Sequence, residues 1–573
     1  METTDRKNGR AIVRWIPVVA LAWMAACGQP GGQGGKAPSG SAKPLPAIWN
    51  ALPESTVGAL ALTDLDRWRT DLKKTALNDM WEDPNLKTWR EQSWPKFKSL
   101  LAEKTGITVE EIDGLIHGDV LVLFAVTRDS SQTEPVPHGA LLIRPSTNKA
   151  QVEVFIQKML ARVPGEKPAQ KWAGDVLILA DKEPFAAEVA ANLQSGRSRL
   201  ESSKSFGVLK RNYASDAFAH AWINAEKLMG LIKETGDPTR RQKHDAALKN
   251  SGLNSLLAVC FSTSIHEKGF LSTLRLQCDG PRQGVLAWFG ENAPSKAVRL
   301  VPGDAQGFYS LRHAGVDKIL STIHAIAKAD PDFTEQKWAQ AMLLAGASLG
   351  INIESDLPKM VGKELALSIG GTVGLTMQAN LYVESPDPTL LITTLERLLT
   401  AAAIQPTQAE HQGTAYKYFS IPQLPMPLPL QISYGKVGDF LVVSTQQAGL
   451  RSVIETLKNQ RSLADNPEYV KAMAAVGEPG WSESFIGVAR GLGPQMALFG
   501  PLFMPQVNKA LGTNLSFADI PNFQVVTDHQ MPGVSRSRSS SDAIESQRYG
   551  TFGVGMSVPA AGILGPIAVP GLM

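Results

Sequence analysis

Cysteine is scarce in this chain: three residues in 573, Cys27, Cys260 and Cys278. That excludes a disulfide-stapled framework and leaves one pair, Cys260 and Cys278, that an oxidising compartment would allow to join. Charge of one sign is lacking as well, with 57 Lys and Arg against 54 Asp and Glu. Arg6, Lys7, Arg10 and Arg14 stand against Glu2 and Asp5 ahead of Cys27, so most of the net charge of +3 sits there. A nearly neutral body has no clustered cations to displace counterions, and no nucleic-acid partner is expected. HExxH, CxxC and EF-hand patterns are missing, and Gly34-Gly35-Lys36 is followed by Ala37 where a phosphate loop needs Ser or Thr. Of the nine histidines, the nearest pair within one segment is His313 and His324, too far apart for one helical turn. The sequence therefore offers no metal or cofactor site.

With 43% hydrophobic and 19% charged residues, the composition is that of an ordinary globular protein long enough for two cores. The chain repeats itself. Gly106-Ile107-Thr108-Val109-Glu110 recurs as Gly350-Ile351-Asn352-Ile353-Glu354, and at the same separation Gly118, Leu121 and Leu123 meet Gly362, Leu365 and Leu367. Gly174 to Ile178 is answered by Gly438 to Val442, and Leu52 to Leu62 by Val301 to Leu311. Such repetition counts against one dedicated catalytic pocket and for a binding or structural body.

The N-terminus has the layout of an export signal: a basic stretch, an apolar run from Ile16 to Trp23, then small residues. The run falls short of the about 20 apolar residues that span a bilayer. It ends Met24-Ala25-Ala26-Cys27-Gly28, which resembles the bacterial lipobox, with Met24 where that motif usually has Leu. The resemblance implies cleavage before Cys27 and lipid attachment to it, holding the protein at a membrane through buried acyl chains. From Gln29 to Lys43 the chain is Gly, Ser, Pro, Ala and Gln with two lysines, a tether that cannot bury enough surface to fold.

Mixed order of strands and helices with hairpin-like adjacency predicts an α+β protein of two tandem homologous domains, each a largely antiparallel sheet with packed helices. The expected division is 1–26 signal, 27–46 tether, 47–298 first copy and 299–573 second copy. Strands are expected at 119–126, 139–144, 364–370 and 380–384, and helices at 94–104, 149–161, 338–349 and 388–401. Each copy should close on three strand-like runs: 256–265, 270–278 and 285–289 in the first, 523–529, 534–541 and 549–556 in the second. In a simple hairpin about His266-Glu267-Lys268-Gly269, Cys260 would lie nearer Arg275 than Cys278, so two buried free thiols are expected.

The opening Leu52-Pro53-Glu54-Ser55-Thr56, then Asp64-Leu65-Asp66-Arg67-Trp68 and Lys73 to Trp81, resembles a family of uncharacterised exported bacterial proteins. Arg461-Ser462-Leu463-Ala464-Asp465 matches a further stretch of that family. The resemblance implies no known activity, and no functional residue comes with it.

Gly346-Ala347-Ser348-Leu349-Gly350 spells the G-x-S-x-G of a hydrolase elbow, which needs its serine on a strained strand-to-helix turn. Here the segment ends an Ala/Leu-rich helical stretch, so Ser348 is the weaker, enzymatic alternative. Trp81, Trp89 and Trp94, with Trp49 and Trp68, fall early in the first copy. They read as helix packing or as a stacking platform for cell-wall sugars. Pro422, Pro425, Pro427 and Pro429 read as a rigid connection, and the uncharged stretch from Tyr549 to Met573 as a last strand with an apolar tail. Together these features predict a non-catalytic, lipid-anchored envelope protein that acts as a binding or scaffolding body facing the periplasm or cell surface. Its partners would be the membrane, reached through the lipid, and an envelope protein, cell-wall or lipid partner. The alternatives are a carrier of lipid or another apolar ligand and a surface serine hydrolase using Ser348.

Overall fold

A computed structural model describes residues 44–105, 118–127, 135–145, 149–161, 167–234, 238–330, 332–373, 376–421, 430–487 and 523–551, with single positions at 108, 110, 111, 504, 505, 508, 509, 514 and 516. The chain packs as two compact units. The first takes the chain up to Leu228, with Leu257–Leu274 and Ala489–Gln530; the second takes Met229–Leu256, Arg275–Val488 and the chain from Met531 onward. Both are α+β, and every strand pairing given below is antiparallel.

In the first unit, β1 (Thr56–Leu62) leads into α1 (Leu65–Leu72), α2 (Ala76–Glu82), α3 (Lys87–Gln92) and α4 (Trp94–Thr105). Then come β2 (Val120–Thr127), β3 (Val136–Ile143), α5 (Lys149–Leu160), β4 (Ala169–Ala173), β5 (Val176–Ala180), α6 (Glu183–Ser195), α7 (Lys204–Arg211), β6 (Ala219–Asn224) and β7 (Leu256–His266). The next strand, β8 (Gly269–Cys278), starts in this unit. The pairing order is β4-β5-β3-β2-β1-β6-β7. Both faces of this sheet are covered. Leu121, Leu123, Leu142, Ile178 and Trp222 pack with Trp49, Val189 and Phe206, while Val120, Val122, Leu141, Ile143, Leu177 and Leu179 pack with Trp68, Val152 and Ile156. Successive side chains of a strand point to opposite faces, so burial on both sides explains why β2 reads as an unbroken apolar run.

The second unit carries β9 (Gly307–Arg312), α8 (Val316–Ala327), α9 (Glu335–Leu349), α10 (Ile353–Met360), β10 (Glu364–Val373), β11 (Thr376–Glu384) and α11 (Pro388–Ala401). After them come β12 (Thr407–His411), β13 (Thr414–Ile421), β14 (Leu430–Val437), β15 (Phe440–Ser444), α12 (Gln447–Asn459), α13 (Pro467–Ala474), β16 (Ser482–Ile486), β17 (Gly533–Ser539) and β18 (Ala543–Gly550). The order here is β12-β13-β14-β15-β11-β10-β9-β16-β17-β18. The helix α11 begins where Asp387 accepts the Leu390 N–H at 3.0 Å, with Pro388 at its first position, the chemistry that favours an N-terminus. Beneath α12 this sheet buries polar groups. Asn380 Nδ2 donates to Ser368 Oγ at 3.2 Å, and the Ser368 and Tyr382 hydroxyls lie 3.0 Å apart.

The expected helices and the two central strand pairs are present within a few residues of their expected bounds. Two expected strands are not strands. Phe523–His529 is helical. It packs against α2, buries Val525 and Thr527, and sets the His529 imidazole 2.7 Å from Asp83, so tertiary contact overrides the strand preference of its β-branched residues. The run at 285–289 opens instead as a 3-10 turn, Gly284–Ala287, with the Val285 N–H donating to the Ser251 carbonyl rather than to a ladder. Equal sequence separation does not bring equal burial either: Leu121 and Leu123 are fully buried, whereas Leu367 is 39% exposed. Cys27, the tether as far as Lys43, Gly106, the proline run at 422–429 and the tail from 552 lie outside the described residues.

Candidate functional site

A cavity of the first unit lies beside α1, where β1 leaves the sheet and the chain enters β6. Three hydrogen bonds from backbone N–H groups knit its base. The Thr63 N–H donates to the Phe218 carbonyl at 2.8 Å, the Phe218 N–H to Thr263 at 3.0 Å, and the Asp64 N–H to Asp119 Oδ1 at 3.1 Å. Asp64 takes a left-handed conformation (φ 52°), which Asp tolerates better than most residues, and its carboxylate caps α1 through the Arg67 N–H. Together these place Asp64, Asp119, Asp216, Trp68, Tyr213 and Phe218 around about 180 Å3 of space.

The lining is acidic and aromatic at once. It holds four aspartates, Asp64, Asp71, Asp119 and Asp216, against one guanidinium, Arg67. Asp119 is held by Arg144 at 2.7 Å, and Asp71 by Lys74 at 2.6 Å and Arg67 at 3.5 Å. Trp68 and Phe218 rings meet with centroids 5.3 Å apart. Trp68 is 4% exposed, and its indole N–H finds no acceptor among the described residues. Behind Tyr213 the buried His220 ring stacks at 4.3 Å and donates from Nε2 to the Ala217 carbonyl at 3.2 Å. Burial pushes His220 down to about 4 and raises the Tyr213 hydroxyl.

Trp81, Trp89 and Trp94 come together in the same unit. Trp81 meets Trp94 at 5.2 Å and Trp89 at 6.0 Å, both edge to face, and Trp89 lies 6.0 Å from Trp94. Each stays half-buried. The cause is local. Asp83-Pro84 interrupts the helical path, Asp83 accepts the Asn85 N–H at 2.7 Å, and the Arg90 guanidinium donates to the Trp81 carbonyl at 2.6 Å and to Glu82 at 3.0 Å. The chain thus folds back on itself through α2, α3 and α4, gathering one tryptophan from each. Trp49, by contrast, is core.

Ser348 falls in the last turn of α9, not on a strand-to-helix turn. Both glycines of its motif have structural reasons. Gly350 caps the helix with φ 65°, and a Cβ on Gly346 would lie 2.3 Å from the Ile351 carbonyl oxygen. Cys260 and Cys278 are both buried, and neither is in a disulfide. Among the described residues no group of three or more His, Cys, Asp or Glu is placed to hold a metal ion, and no helix is long and apolar enough to cross a membrane.

No protein-family model, curated protein or solved structure matches this chain. Its function is therefore argued from its own residues. The sequence pointed to the three clustered tryptophans but not to the cavity, whose members come from segments 150 residues apart (Trp68 and Phe218) and share no motif. Its one legible signal is Trp68 close behind two aspartates.

Proposed function

We propose that this is an exported, lipid-anchored envelope protein without catalytic activity, whose α+β units serve as binding or scaffolding bodies. The observation that carries the binding role is the cluster of Trp81, Trp89 and Trp94. Three half-buried indoles within 6.0 Å of one another keep ring surface in solvent, and aromatic rings of this kind are the groups on which sugars and other flat ligands stack. The anchoring role rests on the lipobox-like ending at Cys27 and the unfoldable tether that follows it.

We further infer that the two halves, 47–298 and 299–573, are a tandem duplication. The order β4-β5-β3-β2-β1-β6-β7 reappears as β14-β15-β11-β10-β9-β16-β17, with the hairpin β12–β13 added at one edge. Pairing also refines the match. Val120 faces Ile143 as Leu365 faces Val383, so Val120, not Leu121, is the counterpart of Leu365. One residue, Lys363, is extra in the second half. Since side chains alternate between faces, that single insertion accounts for the unequal burial of the matched leucines.

A carrier of acyl chains draws no support from the cavity at Trp68, which is small and ringed by carboxylates. The test of the main reading has two arms. The full chain expressed in a bacterial host should enter the detergent phase on phase separation, and Cys27→Ala should stay in the aqueous phase; equal partition of the two removes the anchor. The folded chain should sediment with insoluble cell-wall sacculi, and Trp89→Ala should sediment several-fold less. Undiminished sedimentation by Trp89→Ala and Trp81→Ala removes the tryptophan platform.

A further inference from the structure

We propose that the uncharged stretch from Phe552 to Met573 packs across one face of the second unit's sheet, over Leu367, Leu381 and Ile486. The first observation is a face that is apolar and yet not buried. Residues paired across antiparallel strands point to one face, and neighbours along a strand point to opposite faces. On one face of β10 and β11, Ala366, Ser368, Asn380 and Tyr382 are all 4% exposed or less. On the other, Leu367 and Leu381 stand opposite each other and are 39% and 43% exposed. Ile486, 54% exposed, lies on that same face, in line with Gly307 and the half-buried Ile369. In the first unit the pair Val122 and Leu141, on β2 and β3, is only 7% exposed, because Trp68, Val152 and Ile156 pack with it. Adjoining exposed apolar side chains mark a surface that something covers.

The second observation is where the chain leaves the sheet. Gly550 ends β18 against Gly533, since a Cβ on it would lie 3.3 Å from the Gly533 Cα. Gly533 is the register partner of Ile486, so the stretch starts at the Ile486 end of the sheet, two strands away. From β18 to β11 the order β18-β17-β16-β9-β10-β11 makes a path of about 24 Å at about 4.8 Å per strand. About eight extended residues bridge it, fewer than half of those from Phe552 to Met573.

The third observation is chemistry. From Phe552 to Met573 there is no Asp, Glu, Lys or Arg, so covering the face buries no charge. Phe552, Val554, Met556 and Val558 alternate with Gly553, Gly555 and Ser557, which gives an extended chain one apolar side. Ile563, Leu564, Ile567 and Val569 follow. The inference does not rest on the lipid anchor or on the tryptophan cluster.

The test puts the photoreactive residue p-benzoyl-phenylalanine in place of Leu381 in the full chain carrying Cys27→Ala. The position is already part exposed, so the probe needs no room in the core. After irradiation, peptide mapping should find most adducts within residues 552–573 of the same copy. The same probe in place of Lys458, on the far side of α12, should give at least several-fold fewer. In a second chain, Ile563→Asp with Leu564→Asp charges the stretch and leaves the sheet untouched. That change should lower the adduct from position 381 several-fold and raise the fluorescence of a dye that binds apolar surface. Adducts to a second copy, no adduct within 552–573, equal adducts from position 458, or an adduct and dye signal indifferent to the two aspartates would each overturn the proposal.

Discussion

Gly449 rests directly on Ser444: a Cβ added to the glycine would lie 2.4 Å from the serine Oγ and 2.8 Å from Asn380 Oδ1. Helix α12 can lie this close to the strands only because position 449 has no side chain. In the first unit, Ala180 ends β5 as Ser444 ends β15, and Phe185 follows it at the interval that separates Gly449 from Ser444. At Ser444 a polar strand residue meets a helix position without a side chain, as close packing requires.

Gly449→Ala is accordingly expected to lose about 1–3 kcal/mol of stability through overpacking. Ser444→Ala in the same chain should recover part of that loss, because the nearer of the two clashing atoms is gone. Urea unfolding of the two single variants and the double variant measures the coupling. Strict additivity would show that the helix shifts rather than clashes.

His220 makes stability depend on pH. Burial holds it at about 4 in the folded chain, against 6.5 for an ordinary imidazole, so the unfolded chain binds the proton more tightly. Stability from this residue is full above about pH 6.5 and is lost as pH falls toward 4, an effect of about 3 kcal/mol when complete. Between about pH 7 and pH 4.5, wild type should lose about 2 kcal/mol more than His220→Gln in urea unfolding. Equal losses would mean that the ring is protonated in place.

The two thiols should be silent until the chain unfolds. Cys260 and Cys278 are buried thiols outside any disulfide, and burial raises the Cys278 thiol further from its reactive thiolate. A chain carrying Cys27→Ala should show almost no reaction with a thiol reagent when native and two thiols in denaturant. One or no thiol after denaturation without reductant would reveal a disulfide.

Much of the fold was legible because its signals are local. Pro388 with Asp387 before it marks a helix start, and the turns at Gly174 and Gly438 each precede an apolar strand and then a helix. What escaped was set by contacts distant in sequence. Phe523–His529 has strand-like residues but becomes a helix against α2 and Asp83. The unequal burial of Leu123 and Leu367 was likewise not legible, because a shift of one residue in register turns every side chain of a strand to the other face. Trp81, Trp89 and Trp94 were legible as candidates because they lie within 14 residues of chain. The cavity at Trp68 was not, since it exists only once Phe218 and Asp119 are folded beside α1.

The central claim is the anchor, and mass spectrometry of the mature N-terminus, from chain purified out of a bacterial membrane, tests it most directly. The account predicts an N-terminal peptide that begins at Cys27 and carries a diacylglyceryl group on its sulfur. A peptide that runs through Ala26 into an unmodified Cys27, or that begins elsewhere, would contradict it.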